Sequence, residues 1–221
     1  MQPPSTEQVE QLRDAIAEPA LRAVVTFTAG TGLRQGEVFG LTVDRLHMLR
    51  REVTVDRQLV KLPRQPARLG PPTTKVSVRT VPLPQVVVDA LAVHLAAFPP
   101  GPDGLVFTLE GEPVTRQAFG RMWAPAAKAA GLPAGTGLHL LRHYYALLLI
   151  RYGESVKTVQ ARLGHATAAE TLGHLLAPLA GLRRPHARGR RLPTLRGFSR
   201  TCGLRAGWRW RVTALSQVRH L

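Results

Sequence analysis

The sequence predicts a mixed α+β domain, mainly α-helical with a small antiparallel β-sheet, over residues 1–172, followed by an irregular tail over 173–221. Three observations lead there. Segments that read as amphipathic or buried helices flank two stretches, 46–61 and 74–83, where β-branched residues alternate with polar ones. A chain of 221 residues with 44% hydrophobic content can bury one core. The charge is also unevenly spread: of the net +16, residues 173–221 supply eleven arginines without a Lys, Asp or Glu, which leaves +5 for the remainder.

Taken in order, Ser5 or Thr6 can cap a first helix running to about Ala17, with Glu7 and Glu10 near its positive end. Leu21 to Ala29 reads as a second, more buried helix, and a short helix from about Arg34 to Leu41 follows Gly30-Thr31-Gly32. Val53-Thr54-Val55 and Val76-Ser77-Val78-Arg79-Thr80-Val81 mark two or three strands, and Pro63, Pro66, Gly70, Pro71 and Pro72 impose a loop between them. Helices are expected at about 84–97, 115–130, 139–152 and 155–163, separated by the breakers Pro99-Pro100-Gly101-Pro102 and Gly131-Leu132-Pro133. Beyond Gly173 the chain alternates Arg with Gly, Pro and Trp, as in Arg205-Ala206-Gly207-Trp208-Arg209-Trp210-Arg211, at neither helical nor strand spacing.

The composition narrows the function. A charge of +16 favours a polyanionic partner, above all nucleic acid, with an anionic membrane surface as the weaker rival. The single cysteine, Cys202, can form neither an internal disulfide nor a cysteine-rich zinc site, which points to a reducing compartment. No apolar run reaches the roughly 20 residues of a membrane span, and Met1-Gln2-Pro3-Pro4-Ser5-Thr6 lacks the basic-then-apolar pattern of a leader. The expectation is a soluble, cytoplasmic protein.

Four segments carry chemistry. In Thr31-Gly32-Leu33-Arg34-Gln35-Gly36-Glu37-Val38-Phe39-Gly40-Leu41, Arg34 opens a helix, so its guanidinium can offer paired donors to a phosphate where the helix dipole also favours an anion. Glu37, one turn on, can hold that side chain. Lys75 stands in Thr73-Thr74-Lys75-Val76-Ser77-Val78-Arg79-Thr80-Val81-Pro82-Leu83. In Leu138-His139-Leu140-Leu141-Arg142-His143-Tyr144-Tyr145-Ala146, positions three apart share a helix face, so His139 and Arg142 can point at one phosphate. Leu163-Gly164-His165 follows, with Gly164 ending a helix. His139 and His143 have the spacing of two zinc ligands, but Leu140 stands where the zinc-protease motif needs glutamate, so no metal and no other cofactor is expected.

Over residues 5–172 these segments resemble the catalytic domain of the tyrosine site-specific recombinases of the phage-integrase type, in particular the integrases of high-GC actinobacteria and their phages. The resemblance implies the fold of the DNA breaking-rejoining enzymes, double-stranded DNA as partner, and a scissile-phosphate pocket built from Arg34, Lys75, His139, Arg142 and His165. In such a pocket the two arginines clamp the non-bridging oxygens and the histidines donate hydrogen bonds or act as base. A lysine on the β-hairpin protonates the leaving 5′-oxygen, a task that desolvation and nearby cations suit by lowering its pKa.

The resemblance fails at one place. A tyrosine nucleophile should follow Leu172 within a few residues, yet the chain reads Gly173-His174-Leu175-Leu176-Ala177-Pro178, and its only tyrosines, Tyr144, Tyr145 and Tyr152, all precede His165. Codons exist for Gly173 to His186 that, on loss of one base, read Asp-Thr-Tyr-Ser-His-Leu-Trp-Pro-Asp, the missing box. A one-base insertion after Leu172 would account for both the lost tyrosine and the arginine-rich tail, and a natural arginine-rich DNA-binding extension is the alternative. The helical core-binding domain that usually precedes such a catalytic domain is also expected to be absent, and a half-clamp of this kind binds DNA weakly and with strong salt dependence. Tetramer assembly, implied by the resemblance, is put in question by the altered C-terminus. Two rival readings stand beside the recombinase: a non-catalytic basic accessory DNA-binding protein, and an arginine-rich RNA-binding protein.

Overall fold

The computed structural model describes residues 3–165 except residue 73. The tail over 173–221 and the tyrosine box expected at its start lie outside the described residues. The chain order is α1 (Thr6–Ala15), α2 (Pro19–Thr31), α3 (Gln35–Phe39), β1 (Leu46–His47), β2 (Glu52–Val55), β3 (Gln58–Val60), β4 (Arg68–Gly70), β5 (Arg79–Pro82), α4 (Gln85–Ala97), β6 (Thr108–Leu109), β7 (Glu112–Pro113), α5 (Arg116–Ala129), α6 (His139–Arg151) and α7 (Val156–Leu163).

Helix α1 begins where capping chemistry puts it. The Ser5 hydroxyl accepts from the Gln8 N–H at 3.2 Å, and the Gln8 side chain accepts from the Ser5 N–H at 3.0 Å. Helix α2 is the centre of the body: every residue from Val24 to Thr31 is buried, and it packs against α1, α4 and α6. Two of its buried threonines are satisfied locally: Thr28 and Thr31 donate back to the carbonyls of Val24 and Phe27, each at 2.7 Å. A side chain at Gly30 would collide with Val87, so this glycine sets the close approach of α2 and α4.

The sheet is small and antiparallel, ordered β1-β2-β5, with Val53 opposite Val81 and Val55 opposite Arg79. Alternation buries Val53, Val55 and Val81 and puts Arg79 on that same inward side, two residues before Val81. Two features differ from the expectation. Residues 68–70, read as loop, pair with 58–60 as a hairpin. Residues 75–77, read as strand, form a short 3-10 turn leading into β5. Lys75 therefore opens a turn after the β3–β4 hairpin and does not ride on a strand. The prolines at 63, 66, 71 and 72 do flank β4, but the segment between Pro66 and Pro71 is long enough for residues 68–70 to pair. Among the described residues no helix is long and apolar enough to cross a membrane.

Candidate active site

The site is organised by the C-terminal end of α7. The last carbonyls of a helix have no partner within it, and here three consecutive ones each accept from an arginine. Arg79 Nε donates to the Arg162 carbonyl at 2.7 Å, Arg142 Nη2 to Leu163 at 2.7 Å, and Arg34 Nη2 to Gly164 at 3.0 Å. The negative end of the helix dipole favours cations there as well. Gly164 ends α7 in the left-handed conformation, φ 63°, and a Cβ on it would stand 3.0 Å from Arg79 Nη1, so glycine suits the position twice over.

A second helix end repeats the arrangement. Gly32, φ 65°, caps α2, and its carbonyl accepts from Arg142 Nη1 at 2.6 Å. A side chain on Gly32 would collide with the ring of Tyr145. Arg142, only 3% exposed, thus staples the ends of α2 and α7 together, and it is a helical residue of α6. His139 is the first residue of α6, one turn before Arg142, and lies exposed with its ring edge-on to His143, centroids 4.5 Å apart. His165 follows Gly164 directly and is buried. Its backbone N–H donates to the Gln160 carbonyl at 3.1 Å, while the Gln160 amide donates to the His165 carbonyl at 3.2 Å.

Arg34 sits at the N-cap of α3 and not inside the helix. Its guanidinium turns away from that helix's dipole, toward the end of α7, and α3 has only five residues, so the expected dipole contribution gives way to direct contacts. Nη1 donates to Glu37 Oε1 and to Ser77 Oγ, both at 3.2 Å, and the backbone N–H of Arg34 donates to Glu37 Oε2 at 2.9 Å. Glu37 holds Arg34, as expected from the one-turn spacing. It also accepts from Arg79 Nη1 at 3.0 Å and Nη2 at 2.8 Å. Burial pushes the Glu37 carboxyl upward, but the guanidinium of Arg79, followed by the N–H and charge of Arg34, outweighs it and leaves the group below the usual carboxylate range.

The structure therefore brings Arg34, Arg142 and the backbone of His165 to one helix end, with His139 a turn away from Arg142. Lys75 lies two residues before Ser77, whose hydroxyl accepts from Arg34. Sequence reasoning missed Arg79 and Ser77. Counting back by two from the inward-facing Val81 would have flagged Arg79 as an arginine on the buried side of a strand.

Comparison with known proteins settles the family. The phage integrase family model matches residues 5–174. The chain belongs to the phage integrase family. A curated relative, the tyrosine recombinase XerC-like protein of Caldanaerobacter subterraneus subsp. tengcongensis, is 29% identical over 188 residues, covering 76% of this chain and 48% of its own length. The putative prophage phiRv2 integrase of Mycobacterium tuberculosis is 28% identical over 182 residues, covering 78% and 46%. The chain thus spans about half the length of these relatives. Among solved structures, the Tn1549 transposon integrase in complex with circular intermediate DNA superposes with a TM-score of 0.70 at 25% identity, over 78% of this chain and 61% of that one. A lambda integrase dimer bound to a core site shares the fold, with a TM-score of 0.57 at 14% identity, over 86% and 63% of the two chains.

Within this integrase-family fold Tyr144 and Tyr145 are engaged in packing and hydrogen bonding. The Tyr144 hydroxyl bonds to Thr6 Oγ1 at 3.0 Å, and Tyr145, 2% exposed, packs with Leu149, Val159 and Leu163. Burial pushes both phenols up. A buried phenol with a raised pKa makes a poor nucleophile.

Proposed function

We propose that this integrase-family domain grips a phosphate of double-stranded DNA with Arg34, Lys75, His139, Arg142 and His165, the constellation of site-specific recombination, and that the chain as written does not cleave the strand. The reaction such a pocket serves needs no metal or cofactor. A tyrosine oxygen attacks the scissile phosphorus, the 5′-oxygen leaves with a proton from a general acid, and a 3′-phosphotyrosyl ester remains. A 5′-hydroxyl then attacks that ester and releases the tyrosine. Arginine and histidine donors stabilise the charge that builds on the non-bridging oxygens, each such donor accounting for on the order of a hundredfold in rate.

One observation carries the reading: the Arg34 and Arg142 guanidiniums donate to adjacent carbonyls, Arg34 to that of Gly164 and Arg142 to that of Leu163, and His165 is the next residue. The missing tyrosine after Leu172 supports the absence of cleavage, and the burial of Tyr144 and Tyr145 argues against either of them as a substitute. A frameshift after Leu172 explains that absence, and the verified nucleotide sequence over codons 165–190 tests it: no neighbouring frame encoding the tyrosine box refutes it.

The functional test uses nicked suicide duplexes, which trap any phosphotyrosyl adduct. Salt-sensitive binding without an adduct is expected. A covalent protein–DNA band refutes the inactivity, and binding indifferent to Arg34→Ala and Arg142→Lys refutes the phosphate grip. The eleven arginines of 173–221 favour a second reading, nucleic-acid binding by the tail, RNA included. Near-total loss of affinity on deleting 173–221 would decide for it.

A further inference from the structure

We propose that Arg79 is a positioning residue that acts as the permanent counter-ion of Glu37 and thereby frees Arg34 to be handed to a phosphate. The inference rests on the phosphate-gripping role of Arg34 proposed above.

Glu37 is a carboxylate with two cationic claimants and almost no water. Its side chain is 2% exposed; that of Arg79 is 6% exposed and that of Arg34 is 36% exposed. The two claims differ in kind. Arg79 meets both oxygens in a fork, Nη1 to Oε1 at 3.0 Å and Nη2 to Oε2 at 2.8 Å, whereas the Arg34 side chain makes one longer contact, Nη1 to Oε1 at 3.2 Å. Bidentate, charge-assisted geometry is the stronger of the two. Arg79 is fixed from two further sides, donating to the Ser77 carbonyl at 2.8 Å and the Arg162 carbonyl at 2.7 Å. It is an anchored partner, and Arg34 is the exposed one.

The consequence is a division of labour. An arginine that is the sole counter-ion of a buried carboxylate cannot leave it without stranding a charge in low dielectric. Because Arg79 already neutralises Glu37, Arg34 can shift its Nη1 donor to an incoming phosphate while Glu37 stays paired. Without Arg79, Glu37 would capture Arg34. By the same contacts Arg79 ties β5 to the end of α7, whose next carbonyls hold Arg142 and Arg34.

The test measures how much of DNA binding passes through Arg34. Duplex affinity of the full chain is titrated against NaCl by fluorescence anisotropy, with and without Arg34→Ala, so the contribution of the tail is common to each pair and cancels. In the parent, Arg34→Ala should lower the slope of log K against log[salt] by about 0.9, one phosphate contact. In the Arg79→Met background it should change nothing, and adding Glu37→Gln to Arg79→Met should restore the effect. Arg79 acting as a direct DNA contact or as a mere structural brace predicts no such rescue, and an unrestored or an undiminished Arg34 effect overturns the proposal. If circular dichroism shows that Arg79→Met does not fold, Arg79→Lys takes its place: the Arg34 effect should fall below the parent's and return with Glu37→Gln, and an unchanged effect overturns the proposal. No Arg34 effect in the parent overturns this inference together with the phosphate grip, whereas an equal effect in both backgrounds overturns this inference alone.

Discussion

Replacing Arg142 with methionine removes the guanidinium but leaves an unbranched apolar chain in its place, so the loss measures the two carbonyl contacts more than the packing. Those contacts, to Gly32 at 2.6 Å and Leu163 at 2.7 Å, lie around a side chain only 3% exposed, where water cannot replace them. Hydrogen bonds to a charged group contribute about 1.5–3 kcal/mol each, so the variant should lose about 3–6 kcal/mol. With a urea slope of about 2 kcal/mol per molar, the unfolding midpoint falls by about 1.5–3 M. Arg34→Met supplies the control. Its side chain is 36% exposed, solvent can take over much of what its guanidinium provides, and a loss of about 1 kcal/mol is expected. Arg142→Lys keeps a charge that can reach one carbonyl and should recover about half of the methionine loss. Urea melts followed by circular dichroism read all three. A loss for Arg142→Met no larger than for Arg34→Met would refute the view that Arg142 staples the ends of α2 and α7.

Two further outcomes follow from the same geometry. The Glu37 carboxyl lies below its ordinary range in the folded protein, so its contribution to stability is fully present above the unfolded value and is lost as pH falls through the folded one. Glu37→Gln leaves the buried Arg79 without its counter-charge and should cost about 3–5 kcal/mol at pH 7, with the gap to the parent narrowing below about pH 4; a gap that widens in urea melts at pH 3 would contradict this. Gly32→Ala and Gly164→Ala both force a side chain into the left-handed region, at about 1–2 kcal/mol each, but Gly32→Ala also drives into the ring of the buried Tyr145, whereas Gly164→Ala meets the guanidinium of Arg79. Thermal melts should show the larger drop for Gly32→Ala, and the reverse order would mean that the Tyr145 ring yields more readily than the anchored arginine.

Much of the helical body was legible because its signals are local. The expected second helix, Leu21 to Ala29, appears as Pro19–Thr31, and the expected 155–163 helix appears as Val156–Leu163 with Ser155 capping it through the Thr158 N–H at 3.1 Å. The sheet was less legible. Strand β4 is three residues enclosed by prolines, too short for alternation to register, and the β6–β7 hairpin turns at Glu110-Gly111, both with positive φ, between strands of two residues each. At the candidate site, the one-turn pairing of Arg34 with Glu37, the common helix face of His139 and Arg142 and the helix end at Gly164 were readable from spacing, whereas His165 entered only through the resemblance to the recombinase motif. Arg79 was not, because its inward direction depends on the pairing of Val53 with Val81 across the sheet.

By itself the sequence determined where most helices start and stop, which charged residues stand one helical turn apart, and that charge and periodicity change character after Leu172. Those are properties of composition and of neighbours within a few positions. Only the tertiary structure decided what holds the guanidiniums. Arg34 reaches a carbonyl 130 positions away, Arg142 reaches one 110 positions away, and Arg79 one 83 positions away. The ends of α2 and α7 leave carbonyls that no residue of their own helix can satisfy. Folding supplied the arginines that meet them, and which arginine meets which carbonyl depends on how the helices and the sheet pack, a relation that no local pattern in the chain encodes.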